Sequence, residues 1–255
     1  MVRLGFIGTG TITRAIVEGL NHDKQMRYPI VVSPRNEEHA SYLAGAFKNV
    51  RIAASNQQVA DESEILFLAL RPQVAEQVVR QLRFRKNQKL VSFMAAISAE
   101  TLASWTSQPV RITQAIPLPF VAARLGATVI YPPDETVAAI FGELGRAIEV
   151  RNPESLLLFF AASALMGTYF GVLETAWSWL RNKGLDEVAA RDYLDQLFAG
   201  LSHASGSGGA YSELREEFST KGGLNEQLYR VFREAGGVAA VESGLRSVWT
   251  RLNEN

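Results

Sequence analysis

The chain has 255 residues, 26 basic and 26 acidic side chains, a formal net charge of zero and 47% hydrophobic residues. Such a balance gives no ground for a nucleic-acid or membrane-surface partner and points to a small molecule, while the apolar share is enough for one large domain or two smaller ones. The absence of cysteine removes disulfides, thiolate nucleophiles and thiolate metal centres together, and no metal site is expected.

The pattern begins with a short apolar strand, Arg3 to Ile7, broken by Gly8-Thr9-Gly10-Thr11-Ile12-Thr13, with a helical pattern over Ile12 to Asn21. A strand, a glycine turn and a helix start within twenty residues are the local form of a dinucleotide site. Gly8 permits the tight turn, Gly10 lets the backbone approach a pyrophosphate, and the helix N-terminus offers free N–H groups to phosphate. The third glycine position is Thr13, whose Cβ is expected to space the helix from the strand. The same sequence also suits an ordinary turn between a strand and a helix.

Further strands are expected at Ile30–Ser33, Ile65–Ala69, Lys89–Phe93, Arg111–Ala115, Ala127–Tyr131 and Ala147–Val150. Between them the pattern predicts helices over Glu37–Ala46, Asn56–Ala60, Pro72–Leu82, Ala99–Thr106 and Asp134–Leu144. The alternation implies an α/β domain, of Rossmann type given the opening motif, with a parallel sheet and right-handed crossovers, over residues 1–152. From Pro153 the pattern is helical only: Glu154–Asn182, Leu185–Ser205, Tyr211–Phe218, Leu224–Ala235 and Val238–Leu252. Residues 153–255 form the second expected domain, and its many aromatic residues suggest dimerisation through helix packing, or a private core. The apolar run Leu156–Val172 is the one membrane candidate. Polar and small residues interrupt it, so a buried core helix is expected there. No signal core precedes the glycine motif, which makes a cytoplasmic enzyme the expectation.

The second strand ends in Ser33-Pro34-Arg35-Asn36 rather than in the acid that would bind a ribose 2′-hydroxyl. A hydroxyl, a guanidinium and an amide suit a 2′-phosphate, so NADP(H) is favoured and NAD(H) stays open. At two other strand ends lie Ala69-Leu70-Arg71-Pro72-Gln73 and Ser92-Phe93-Met94-Ala95-Ala96-Ile97-Ser98. These segments resemble the valine-lysine-proline-glutamine and serine-isoleucine-alanine-alanine-glycine segments of pyrroline-5-carboxylate reductases. Met166-Gly167-Thr168-Tyr169 with Glu174, the loop Ser219 to Asn225 and the segment Val241 to Ser247 extend the resemblance over nearly the whole chain.

The resemblance implies an N-terminal Rossmann-type dinucleotide-binding domain and an all-helical C-terminal dimerisation domain. It also implies reduction of a cyclic imino acid, 1-pyrroline-5-carboxylate to proline, in proline biosynthesis. The glycine turn, the second strand end and the resemblance together point to Gly8, Thr9, Gly10, Thr11, Ile12, Ser33, Arg35, Asn56, Leu70, Arg71, Pro72, Ala95 and Ala96 as cofactor residues. On the substrate side the resemblance points to Glu174, Thr220, Gly222, Gly223 and Asn225, with Asn225 and Thr220 touching the ring nitrogen and carboxylate. Glu174 equally suits a surface turn, and the glycine loop equally suits a helix cap. Two departures concern the substrate: Pro117-Leu118-Pro119 replaces a polar turn, and Lys221, Leu224 and Asn225 alter the glycine loop. A different imine, or a catalytically silent NADP-binding regulator, therefore stands beside the leading reading. Imine reduction needs no strong base, in keeping with His22, His39 and His203 lying outside any motif. Related hydroxyacid dehydrogenases carry a lysine general acid/base on the long helix, whereas no lysine lies between Glu154 and Leu180.

Overall fold

The computed structural model describes residues 1–23, 26–94, 96–206 and 208–253. Two compact units divide the chain, one over Met1–Phe160 with Leu252–Asn255 and the other over Ala161–Arg251.

In the first unit the strands are β1 (Leu4–Ile7), β2 (Ile30–Val32), β3 (Val50–Ile52), β4 (Ile65–Leu68), β5 (Lys89–Ser92), β6 (Arg111–Ile116), β7 (Ala127–Tyr131) and β8 (Arg146–Glu149). They form one sheet in the order β3-β2-β1-β4-β5-β6-β7-β8. Helices α1 (Thr11–Leu20), α2 (Glu37–Ala46), α3 (Asn56–Glu62), α4 (Pro72–Arg80), α5 (Ala99–Ser104) and α6 (Glu135–Gly142) connect them. Side-chain alternation splits the core between the two faces. Leu4, Phe6, Ile65 and Phe67 join one cluster, whereas Ile7, Leu66 and Leu68 join the other. Phe6 and Phe67 stand opposite each other in register and stack with ring centroids 4.6 Å apart.

The sheet differs from the expected pattern at two places. Strand β3 was not anticipated, because its three residues present Arg51 to solvent at the sheet edge and carry little apolar signal. The expected all-parallel order fails between β6 and β7, which run antiparallel. Their connection holds only a 3-10 turn, Pro119–Ala123, and is too short for the dozen or so residues of a parallel crossover. Arg124 after this turn donates from Nε to the Gly19 carbonyl at 3.0 Å, clamping the turn to the end of α1.

The first unit also runs past the expected boundary at residue 152. Leu156, at the start of α7 (Pro153–Ser163), is 1% exposed and packs with Ile116, Val129 and Val150.

The second unit holds α8 (Leu165–Asn182), α9 (Glu187–Ser205), α10 (Tyr211–Glu217), α11 (Leu224–Glu234) and α12 (Gly237–Asn253). The single long helix expected over Glu154–Asn182 is divided at Ala164. Helices α8 and α9 pack through Tyr169 and Phe198, whose centroids are 5.5 Å apart, and through Trp177 Nε1 donating to the Glu187 carbonyl at 3.2 Å. The expected buried core helix is not found: the helical stretch Pro153–Asn182 is long and apolar enough to cross a membrane, and only 11% of its apolar window is buried within the chain. No residue of α8 is buried, because α9 covers one face and leaves residues such as Phe170 and Trp179 exposed.

Asp134 ties β5 to α6. Its carboxylate caps the N–H groups of Thr136 and Val137, each at 3.0 Å, and pairs with Lys89 Nζ at 2.7 Å. Burial pushes this carboxyl up, but the ammonium and the backbone donors outweigh it and hold the group below its ordinary 3.8. Asp134→Ala is expected to lower the free energy of unfolding by about 1–2 kcal/mol at neutral pH, as measured by denaturant titration. Since the folded value is the depressed one, this advantage persists above 3.8 and fades as pH falls through the folded value. An equal gap between wild type and variant at neutral pH and at about pH 2 would remove the ion pair from this account.

Candidate functional site

In the first unit the chain runs from β1 outward to β2 and β3, then returns to place β4 on the other side of β1. The direction of winding therefore reverses between β1 and β4, and ligands of open α/β sheets bind in the crevice beyond the carboxyl ends at such a point. The segments Gly8–Thr11 and Ala69–Pro72 both emerge there.

Gly8 is required by the fold. Its φ is +98°, and an added Cβ would lie 2.2 Å from the Ala69 carbonyl oxygen. Its N–H donates to Ser33 Oγ at 3.0 Å, and Thr9 Oγ1 donates to the Ser33 carbonyl at 2.7 Å. Thr9 and Ser33 are both buried. Sequence reasoning gave the Ser33 hydroxyl to a 2′-phosphate; the structure spends it on holding the glycine turn. Thr13 also behaves differently from expectation. It is fully buried, and its Oγ1 donates to the Gly8 carbonyl at 2.6 Å, so it fastens the helix to the turn instead of spacing it away.

Gly10 is not required by the fold. Its φ of −91° suits any residue, and a Cβ there would meet nothing within 4 Å. As the N-cap of α1 it contributes no side-chain bond, and α1 has no acidic residue in its first turn. The N-terminal donors of α1, at Thr11 and Ile12, thus lie at the positive end of the helix dipole without a side-chain cap. Helix α4 likewise begins without a side-chain cap, with Arg71 exposed at its N-cap and Pro72 following. By contrast α2, α3 and α5 are capped by Asn36, Ser55 and Ser98. The uncapped pair flanks the crevice.

Beyond β2, Arg35 is exposed, with no ion pair to a described residue. Asn36 spends its Oδ1 on the His39 N–H at 3.3 Å. Asn56 opens α3 directly after β3, at the same sheet edge, a placement that needed the unanticipated strand. Leu70 is half-buried against the core and Ala96 is half-buried, while Ala95 lies outside the described residues. Ala115, Ile116 and Pro117 are buried, so of the altered apolar turn only Leu118 and Pro119 reach the surface.

In the second unit, the loop before α11 gathers Thr220, Gly222, Gly223 and Asn225. Gly222 has φ of +75°. Its N–H donates to Glu226 Oε2 at 2.5 Å, the Gly223 N–H to the Thr220 carbonyl at 2.7 Å, and Asn225 Nδ2 to the Phe218 carbonyl at 2.7 Å. Glu226 was missed by sequence reasoning, although an acid at the third position of a helix is a known signal for a side chain that reaches back to the cap. A cleft of about 520 Å³ beside the loop is lined by Arg215, Gly222, Gly223, Glu226, Arg230 and Arg233 among others. Glu174 is placed elsewhere, in a smaller pocket of about 190 Å³ between α8 and α9 with Phe170, Trp177 and Arg191.

Sheet order, glycine turn and uncapped helices together define an α/β oxidoreductase that uses a nicotinamide dinucleotide. The family described as NADP oxidoreductase coenzyme F420-dependent matches residues 3–96. Pyrroline-5-carboxylate reductase of Haemophilus influenzae is 26% identical over 98% of this chain and 96% of its own length. That of Synechocystis sp. is 31% identical over 61% of this chain and 60% of its own length. Among solved structures, 1-pyrroline-5-carboxylate reductase of Streptococcus pyogenes shares the fold with a TM-score of 0.86 and 20% identity, over 100% of this chain and 99% of that one. The Plasmodium falciparum pyrroline carboxylate reductase with NADP bound gives 0.83 at 16% identity, over 98% and 97%. Over nearly its whole length the chain is thus similar to pyrroline-5-carboxylate reductases, at identities of about a quarter.

The two glycines of the turn should separate in experiment. Gly10→Ala is expected to leave the melting temperature within about 2 °C of wild type while weakening dinucleotide binding at least about tenfold. Gly8→Ala is expected to cost roughly 1–3 kcal/mol of stability from backbone strain alone. Calorimetric melting and fluorescence titration of the reduced cofactor measure both, and equal losses of stability would contradict the assignment of Gly10 to the ligand.

Proposed function

We propose that the protein is an NADPH-dependent reductase of a cyclic imino acid, 1-pyrroline-5-carboxylate to proline, and that it acts in the cytoplasm as a homodimer. The observation that carries this reading is the open, uncapped start of α1 at Gly10, at the reversal point of the sheet, in a chain whose full-length relatives bear that enzyme's name.

Bound NADPH supplies the hydride. The turn Gly8 to Ile12 would hold its pyrophosphate on backbone N–H groups, with Leu70, Arg71, Pro72 and Ala96 along the adjacent strand ends. Arg35, exposed beyond β2 where no acid competes, is suited to a 2′-phosphate and supports NADPH over NADH. Asn56 stands at the neighbouring strand end for the adenosine side. In the second unit, Thr220 would offer its hydroxyl to the substrate carboxylate. Asn225, its Nδ2 already bonded to Phe218, would present Oδ1 to the protonated ring nitrogen. A protonated C=N accepts hydride readily, so the protein's task is to bind and orient, and no strong base is called for. Glu174, in its own pocket with Arg191, would act only at the margin of the substrate site.

Dimerisation is supported by the uncovered apolar faces. Leu224, Leu228, Val231 and Phe232 of α11 are between 43% and 83% exposed, and α8 buries no residue within the chain. Apolar area of this extent on a single chain calls for a partner surface, and a second copy supplies it by symmetry.

An NADPH-oxidation assay with pyrroline-5-carboxylate tests the reading. Steady turnover is expected, with NADPH preferred to NADH, and Arg35→Ala should reduce that preference by about tenfold. Retained cofactor binding with no turnover of any cyclic imine would favour a silent NADP-binding protein instead. Sedimentation should show two copies, and a monomer at micromolar concentration would refute the dimer.

A further inference from the structure

The glycine loop of the second unit already holds a carboxylate, and it is the chain's own. Glu226 Oε2 accepts the Gly222 N–H at 2.5 Å, the Gly223 N–H is spent on the Thr220 carbonyl, and Asn225 Nδ2 is spent on the Phe218 carbonyl. In this arrangement the Gly222 donor is taken before any substrate arrives. The adjoining cleft points separately to an anionic guest. Arg215, Arg230 and Arg233 line it against Glu216 and Glu226, and neither Arg230 nor Arg233 has an ion pair with a described residue. Positive charge gathered beside a backbone donor favours a carboxylate, whereas a second carboxylate brought next to Glu226 is repelled by it.

We propose that Glu226 is a specificity-determining residue that occupies the seat of the substrate carboxylate, so that a carboxylated imine must displace it and a carboxylate-free cyclic imine need not. This rests on the reading of the Thr220–Asn225 loop as the carboxylate-binding element. The consequence is a raised KM for imino acids and a narrowed preference for them over imines without the acid group. Two substitutions separate the roles of charge and hydrogen bond. Glu226→Gln keeps an oxygen that can accept the Gly222 N–H and removes the charge, while Glu226→Ala removes both.

The test compares kcat/KM for pyrroline-5-carboxylate with kcat/KM for 1-pyrroline, in wild type, Glu226→Gln, Glu226→Ala and Thr220→Val. Glu226→Ala is expected to raise the ratio about tenfold through a lower KM for the carboxylated substrate, and Glu226→Gln to raise it by less, since its amide oxygen still accepts the Gly222 N–H. Thr220→Val is expected to lower it. Binding of L-proline by titration calorimetry, tighter in Glu226→Gln than in wild type, reads the same competition without turnover. If Thr220→Val lowers the ratio while both Glu226 variants leave it unchanged, the loop is the carboxylate seat and Glu226 is only a helix cap, which overturns the proposal. A ratio unmoved by Thr220→Val, with proline binding also unmoved in every variant, overturns the reading of the loop itself and the proposal with it. Thermal melts of each variant exclude a folding defect as the source of any change.

Discussion

At Gly8 the chain leaves β1 with no space for a side chain. The nearest obstacle is the Ala69 carbonyl at the end of β4, and the Gly8 N–H is held by the Ser33 hydroxyl at the end of β2. One residue thereby locks together the carboxyl ends of three neighbouring strands. Thr13 completes the lock by returning a hydrogen bond from the first turn of α1 to the Gly8 carbonyl. Since helix, turn and strand ends are fixed to one another by short internal bonds, the N–H groups at the start of α1 acquire a definite direction. That direction is into the crevice, and the residue beside them, Gly10, is small without any internal reason to be so. A glycine that the fold does not need marks the place where something else approaches the backbone. The cofactor site is in this sense a by-product of how β1 is packed.

The helical unit is organised by a different constraint. Ala190 and Leu194 are the buried residues of α9, and α8, α10, α11 and α12 bury none within the chain. Covering a large aliphatic side chain contributes about 1.5–3 kcal/mol, so several uncovered faces amount to a substantial share of a domain's net stability. In the proposed dimer the stability of this unit would be coupled to its assembly, and mass action would make it depend on protein concentration. The first unit, by contrast, buries three core clusters of its own.

Legibility in the sequence followed the strength of the periodic signal. The strand, glycine turn and α1 could be read directly, as could the central strands, because buried strands leave continuous runs such as Ile65–Leu68. Strand β3 escaped because an edge strand of three residues has only one apolar side to show. The antiparallel return to β7 was hidden in a loop whose length, not its composition, decides the topology. For Ser33 the residue type was legible and its partner was not: a hydroxyl after a strand suits a phosphate and a backbone N–H equally, and only the packing of β1 against β2 shows which it meets. The resemblance to the reductase family covered the substrate loop, but it could not reveal Glu226, since no matched position fell on that residue.

That loop shows why a glycine-rich helix start is ambiguous as a binding motif. The donors that would hold a substrate carboxylate are the same donors a helix must satisfy when nothing is bound, and a nearby acid can satisfy them from within. An intramolecular carboxylate competes at an effective concentration set by a short tether, often in the millimolar range, and it pays little entropy to bind. A substrate carboxylate overcomes such a competitor only by bringing contacts the tethered group lacks. Here those would be the Thr220 hydroxyl and the arginines of the adjoining cleft. On the proposal made for Glu226, how tightly the loop holds it, relative to what Arg215, Arg230 and Arg233 gain from a second anion, would set the discrimination between imino acids and simple imines. The proposed cofactor half would then be governed by a residue with nothing beside it, Gly10, and the proposed substrate half by a residue with a partner already in place.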